Sequence, residues 1–253
     1  MATTSNNLLP NASFEFDFGD NVPTNWADTH NPLTIKLQAT GQAAKVTPRS
    51  EPVGDAVDGE RAARIETEEN QTPNAATDCH RVRSLGRAVG HLTSPLVSVL
   101  PCTPHTISVY AKSDDPSAKL EIGLWTRPVD HTQIPDALSY PTPLSTDWQR
   151  YTFTCCTDEL EDKAVVDLKV TTDNAGAVVL FDAAQLESGS QATDFKTWRT
   201  VEASVSGRRQ RLIHLHDGPL ELHLTTYNHA VEAANEPITL KITKRPPTES
   251  RWV

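Results

Sequence analysis

At 253 residues the chain can hold one large or two ordinary domains with a sizeable core, and its formal net charge of −10 makes nucleic acid and anionic membrane surfaces poor partners. Its 18 prolines against 11 glycines, with a single methionine, argue against long helices and for many short strands. No apolar run approaches the roughly 20 residues of a membrane helix, so no membrane insertion is expected, and Met1 to Asn6 lacks the apolar centre of a signal peptide.

Residues 1–6 are small and polar and read as a frayed tail. Residues 38–80 are the least regular region, with the acidic turn Gly54-Asp-Ala-Val-Asp-Gly59, one strand at Ala62 to Glu66 and a polar loop from Glu68. Alternation is clean from Leu92 onward. Between Thr106 and Lys112, Ile107, Val109 and Ala111 share one face, and Ser108, Tyr110 and Lys112 the other. After the Asp114-Asp-Pro116 turn, Leu120, Ile122 and Leu124 form an apolar face opposite Glu121, Gly123, Trp125 and Arg127. The expectation is a hairpin with one core face and one aromatic, amphipathic face, bordered by a long loop at 128–147.

Strands at Gln149 to Thr154 and Ala164 to Thr171 lead to the run Val178-Val-Leu-Phe-Asp-Ala-Ala-Gln-Leu-Glu187. An acid inside such an apolar run needs a partner, because an unpaired buried charge costs several kcal/mol. After Phe195 the pattern changes to four alternating strands, Val201 to Val205, Arg211 to His216, Leu220 to Thr226 and Ile238 to Thr243, with a hairpin turn at Asp217-Gly218. One apolar face without a second sheet predicts part of an immunoglobulin-like sandwich. The fold class expected is therefore all-β.

Several stretches fall in a characteristic order. Asn7-Leu-Leu-Pro-Asn-Ala-Ser-Phe-Glu15 is followed by Pro23-Thr-Asn-Trp26, by His91 to Pro101, by Thr106 to Lys112, and by Ser145-Thr-Asp-Trp-Gln-Arg-Tyr-Thr-Phe153. The series ends with Asp182, Gln185-Leu-Glu187, Gly189 and Ala192-Thr193. Together, over about residues 7–195, they resemble the carbohydrate-binding-module jelly rolls, a galactose-binding-like β-sandwich family. The resemblance implies a jelly-roll sandwich over 7–196, and the strand pattern that follows it is read as a small or truncated immunoglobulin-like domain at 197–253. It places Trp26 and Trp148 in the core. It also implies a structural calcium held by Glu15 and Asp182, with carbonyls of the irregular 50s loop completing the shell.

Sugars present C–H faces and a ring of hydroxyls, so a sugar site wants an aromatic platform flanked by charged hydrogen-bonding groups. Tyr110, Glu121, Trp125 and Arg127 supply both and are the candidate ligand residues; the competing reading packs Trp125 under the 128–147 loop. His214, His216, Glu221 and His223 share a strand face that could bind zinc, against the plainer reading of a solvated polar face. Cys79, Cys102, Cys155 and Cys156 lack metal spacing and read as free thiols, a Cys79 to Cys102 bridge being the alternative.

No nucleophile elbow, metalloprotease helix, phosphate loop or Cys-His signature is present, although a glycosidase carboxylate pair could hide among the 33 acids. The function expected is a non-catalytic carbohydrate-binding module, accessory to a secreted polysaccharide-acting protein and either extracellular or surface-associated. Its alternative is a structural or adhesive module of a phage tail or cell-surface appendage, with self-assembly or tethering to a larger protein.

Overall fold

Alternation of apolar and polar residues builds strands throughout the computed structural model, which describes residues 7–15, 23, 26, 48–69, 88–126, 137–159, 162–197, 201–206 and 223–228. In chain order the strands begin with β1 (Arg49–Pro52), β2 (Arg61–Glu66), β3 (Glu68–Glu69), β4 (Ala88–Thr93) and β5 (Val97–Ser98). Next come β6 (Pro104–Ser113), β7 (Lys119–Trp125), β8 (Ala137–Leu138), β9 (Thr142–Pro143) and β10 (Gln149–Cys156). The last are β11 (Lys163–Thr172), β12 (Val178–Ser188), β13 (Val201–Ser206) and β14 (His223–Asn228). The described residues contain no helix, and their strands pair antiparallel throughout.

The first sheet runs β1-β2-β12-β6-β10, and the second runs β3-β4-β11-β7-β8 with β5 on β11 and β9 on β7. Ile107, Val109, Ala111, Tyr151, Val179 and Phe181 of the first meet Leu92, Leu120, Ile122, Leu124, Val166, Leu168 and Val170 of the second in one core. Each fully buried side chain of this kind contributes about 1.5–3 kcal/mol. The sheets approach closely at Gly90, where an added Cβ would lie 2.9 Å from Ile65 Cδ1. The expected all-β sandwich is what forms.

The amino-terminal stretch extends the first sheet where β2 stops. β2 pairs only with Val178 to Phe181 of β12, and beyond the bulge at Ala183 (φ 47°) the Leu8 and Ala12 backbones bond to Leu186 and Ala184. Asn7 Oδ1 accepts from the Leu9 and Leu186 amides, locking that register. Phe14 and Trp26 then pack edge to face at 4.9 Å, with the Trp26 indole donating to the Pro10 carbonyl, so Trp26 is a core residue as expected.

The expected hairpin of β6 and β7 does not form: β6 lies in the first sheet and β7 in the second. The turn between them is a corner that carries the chain across the core. Asp115 pins it, accepting from the Ser117 amide (2.7 Å), the Ser117 hydroxyl (2.8 Å), the Thr172 hydroxyl and the Asn174 amide (2.9 Å). Burial pushes this carboxyl up, and the four donors together pull it down to about 2. The 128–147 stretch also differs from expectation, because β8 and β9 within it both pair with β7.

In the carboxy-terminal region β13 pairs with β14 from Val201↔Asn228 to Ser206↔His223. The strands expected at 211–216 and 238–243, the Asp217-Gly218 turn, and the residues His214, His216 and Glu221 lie outside the described residues. Cys102, Cys155 and Cys156 are not in disulfides, and Cys79 lies outside the described residues.

Candidate functional site

β11 is the central strand of the second sheet, and its Ala164, Val166, Leu168 and Val170 all point into the core. Val165, Asp167 and Lys169 therefore face outward. Register sets His91 of β4 and Glu121 of β7 on either side of Lys169, Thr93 and Gly123 beside Asp167, and Trp125 beside Val165. Lys169 Nζ sits 3.1 Å from Glu121 Oε2, with side-chain exposures of 12% and 5%. His91 Nδ1 sits 3.1 Å from Asp167 Oδ1, and those side chains are 10% and 3% exposed.

An outward sheet face that carries four charged or titratable groups, nearly all shielded from water, is unusual for a sandwich. Each pair offsets part of its own desolvation. A carboxylate only accepts, so the bond to Asp167 uses a proton on His91 Nδ1, and Nε2 is the ring nitrogen left over for another partner. That Nε2 and the Trp125 indole N–H are both buried without a hydrogen-bond partner among the described residues. A polar atom left so costs about 1–3 kcal/mol, so two on one face are a feature to explain. The surface can stack a ring on Trp125, accept from hydroxyls at Glu121, Asp167 and His91, and donate from the indole and Lys169.

Of the four ligand residues expected from sequence, the structure brings Glu121 and Trp125 to this face, and Arg127 lies outside the described residues. Tyr110 is elsewhere. It projects from the outer face of the first sheet, where register aligns it with Asp182 and Arg150. There the Arg150 guanidinium lies 5.8 Å from the Tyr110 ring centre, and Lys112 lies 4.7 Å from that of Trp148. Lys112 also binds Asp55 at 2.7 Å and thereby holds that carboxyl below the usual carboxylate range. Trp148 is thus half-buried on an outer face, not in the core. The alternation that buries Tyr151 and tucks Phe153 against the core puts Arg150 and Trp148 outside. The same parity could have found Asp167 and Lys169.

Asp182 and Glu15 are tied to one loop. Asp182 Oδ2 accepts from the Val57 and Asp58 amides (2.7 and 3.0 Å) and Oδ1 from Ala183 (2.6 Å), while Glu15 Oε1 accepts from the Glu60 and Arg61 amides (3.0 and 2.9 Å). The 50s loop thus turns amide N–H groups, not carbonyls, toward both acids. Asp182 is fully inaccessible. Burial pushes its carboxyl up, the Asp58 charge adds to this, and the three amides only partly oppose it, leaving it at about 7. With no ion pair to Asp182 among the described residues, its charge is what a cation would neutralise. Among the described residues no group of three or more metal-ligating side chains is assembled.

No protein-family model and no curated protein matches the chain. The similar solved structures include several carbohydrate-binding modules. TmCBM61 in complex with β-1,4-galactotriose is 13% identical with a TM-score of 0.43, the match covering 73% of this chain and 100% of that one. A family 16 carbohydrate-binding module is 14% identical with a TM-score of 0.41 over 71% of this chain and 99% of that one. The enzymatically active domain of bacteriophage CBA120 tailspike protein 4 is 12% identical with a TM-score of 0.43 over 73% of this chain, which spans 22% of that protein. These likenesses are of fold.

Proposed function

We propose that the chain is a non-catalytic carbohydrate-binding module that holds a polysaccharide or glycan on the outer face of its second sheet. The observation that carries this reading is the shielded set of Glu121, Lys169, His91 and Asp167 beside Trp125, with the His91 Nε2 and the Trp125 indole N–H left without partners among the described residues. Sugar hydroxyls donate and accept at once, so they satisfy a ring nitrogen and an N–H on the same face. Shielding from water makes each such bond stronger than on an open surface. The ordered family-like stretches from Asn7 to Phe195 support the same reading from sequence. A calcium ion at Glu15 and Asp182 would serve the fold, supplying charge to Asp182, and the module would act outside the cell, tethered to a polysaccharide-acting protein.

Screening the full chain against immobilised neutral polysaccharides, with and without calcium, tests this proposal. Binding with dissociation constants between about 1 μM and 1 mM, or roughly −8 to −4 kcal/mol, and no release of shorter sugars is the expected result. Absence of binding to every glycan would refute the assignment, and release of reducing ends would refute its non-catalytic part.

A further inference from the structure

The first sheet presents a different chemistry on its own outer face. Tyr110 and Trp148 are half-buried there, each under a cation, with the half-buried Leu180 alongside. Lys112 has its carboxylate in Asp55, whereas Arg150 makes no ion pair among the described residues. Arg150 Nη2 donates to Ser108 Oγ at 2.8 Å, and its Nε is buried with no acceptor. The chain carries 33 acids against 23 lysines and arginines, and Arg150 combines a half-buried position with no ion pair to a carboxylate among the described residues.

From this we infer a second ligand site on the outer face of the first sheet, for a sugar that carries a carboxylate, such as a uronic acid. The sugar ring lies against Tyr110 and Trp148, and its carboxylate takes the Nη donors of Arg150 that Ser108 leaves over. A guanidinium is a planar fork that matches a planar carboxylate through two parallel hydrogen bonds, which a lysine cannot do. Stacking on Tyr110 fixes the plane of the fork in advance, lowering the ordering cost of binding. Lys112 adds positive charge to the rim, tempered by Asp55. This site shares no residue with the Trp125 face.

Calorimetric titration of the full chain with oligogalacturonate, its methyl ester, a neutral galacto-oligosaccharide and a sulfated one of equal length tests the inference. Oligogalacturonate should bind at least about tenfold more tightly than the other three, and both Arg150→Gln and Arg150→Lys should remove about that factor, since both lose the fork. Trp125→Phe should leave this binding unchanged, so failure here and failure of the second-sheet site are read separately. Equal affinity for acid and ester, equal or tighter binding of the sulfated sugar, or unchanged affinity in Arg150→Gln would overturn it. Should the Arg150 variants unfold, Trp148→Ala decides, because it leaves the Arg150 stack intact: roughly tenfold weaker binding supports the site, and unchanged binding refutes it.

Discussion

Replacing Asp115 tests what sends β6 and β7 into different sheets. This carboxylate holds four donors drawn from its own turn, from the end of β11 and from the turn after it, and so ties the corner to another part of the fold. Hydrogen bonds to a charged acceptor contribute about 1.5–3 kcal/mol each, but Ser117 and Asn174 can turn to water, so Asp115→Ala should lose about 3 kcal/mol in all. For a chain of this length that lowers Tm by about 6–12 °C. Asp115→Asn keeps the shape but removes the charge and sets an NH2 against donors, for a loss of about 2 kcal/mol. Acid should erase part of that difference. The native carboxyl titrates at about 2 and the unfolded one near 3.8. Asp115 therefore stabilises fully above pH 3.8 and loses that contribution as pH falls through 2. The contribution is about 1–2 kcal/mol, allowing for nearby water. Urea unfolding of wild type and Asp115→Asn at pH 7 and pH 2.5 measures both numbers. A wild type and Asp115→Ala that differ by less than about 0.5 kcal/mol, or a gap to Asp115→Asn that does not narrow in acid, would refute the reasoning.

Other consequences can be checked on the same footing. Calcium should raise Tm and EDTA should lower it if Glu15 and Asp182 share a cation, and Asp182→Asn should abolish the response; a Tm indifferent to both would remove the cation from the account. Gly90→Ala should destabilise by about 1–3 kcal/mol in chemical denaturation, because its Cβ would meet Ile65 at 2.9 Å. Glu121→Ala should cost more than an ordinary surface substitution, about 2 kcal/mol, since it leaves Lys169 shielded without its 3.1 Å partner; a loss under 0.5 kcal/mol would show that the pair is solvated.

Which side chains point inward was legible in the sequence, and which strands are neighbours was not. The alternation of Ile107, Val109 and Ala111 with Leu120, Ile122 and Leu124 is the same whether two strands pair in one sheet or face each other across the core. Asp115 ties the corner between them to Thr172 and Asn174, far along the chain, and a single sequence does not display such a contact. That is why Tyr110 and Trp125 were grouped and the structure parts them. Asp182 was legible as a buried acid, but its partners are the amides of Val57, Asp58 and Ala183, and backbone groups carry no residue-type signature. Asp167 and Lys169 stood at outward positions of an obvious strand. They were overlooked because an acid and a base among β-branched residues read as an ordinary polar face until His91 and Glu121 are seen beside them.

The claim that the second sheet holds a sugar rests on polar atoms the fold leaves unused, and Trp125→Phe addresses one of them directly. The substitution keeps an aromatic ring, trims its volume and removes an indole N–H that has no hydrogen-bond partner among the described residues. Stability should change by no more than about 1 kcal/mol, as lost ring volume offsets relief of the unsatisfied donor. Titrated calorimetrically with the tightest neutral glycan from the screen, Trp125→Phe should bind about tenfold more weakly than wild type, the worth of one shielded hydrogen bond. Wild-type affinity in a folded Trp125→Phe would contradict the account.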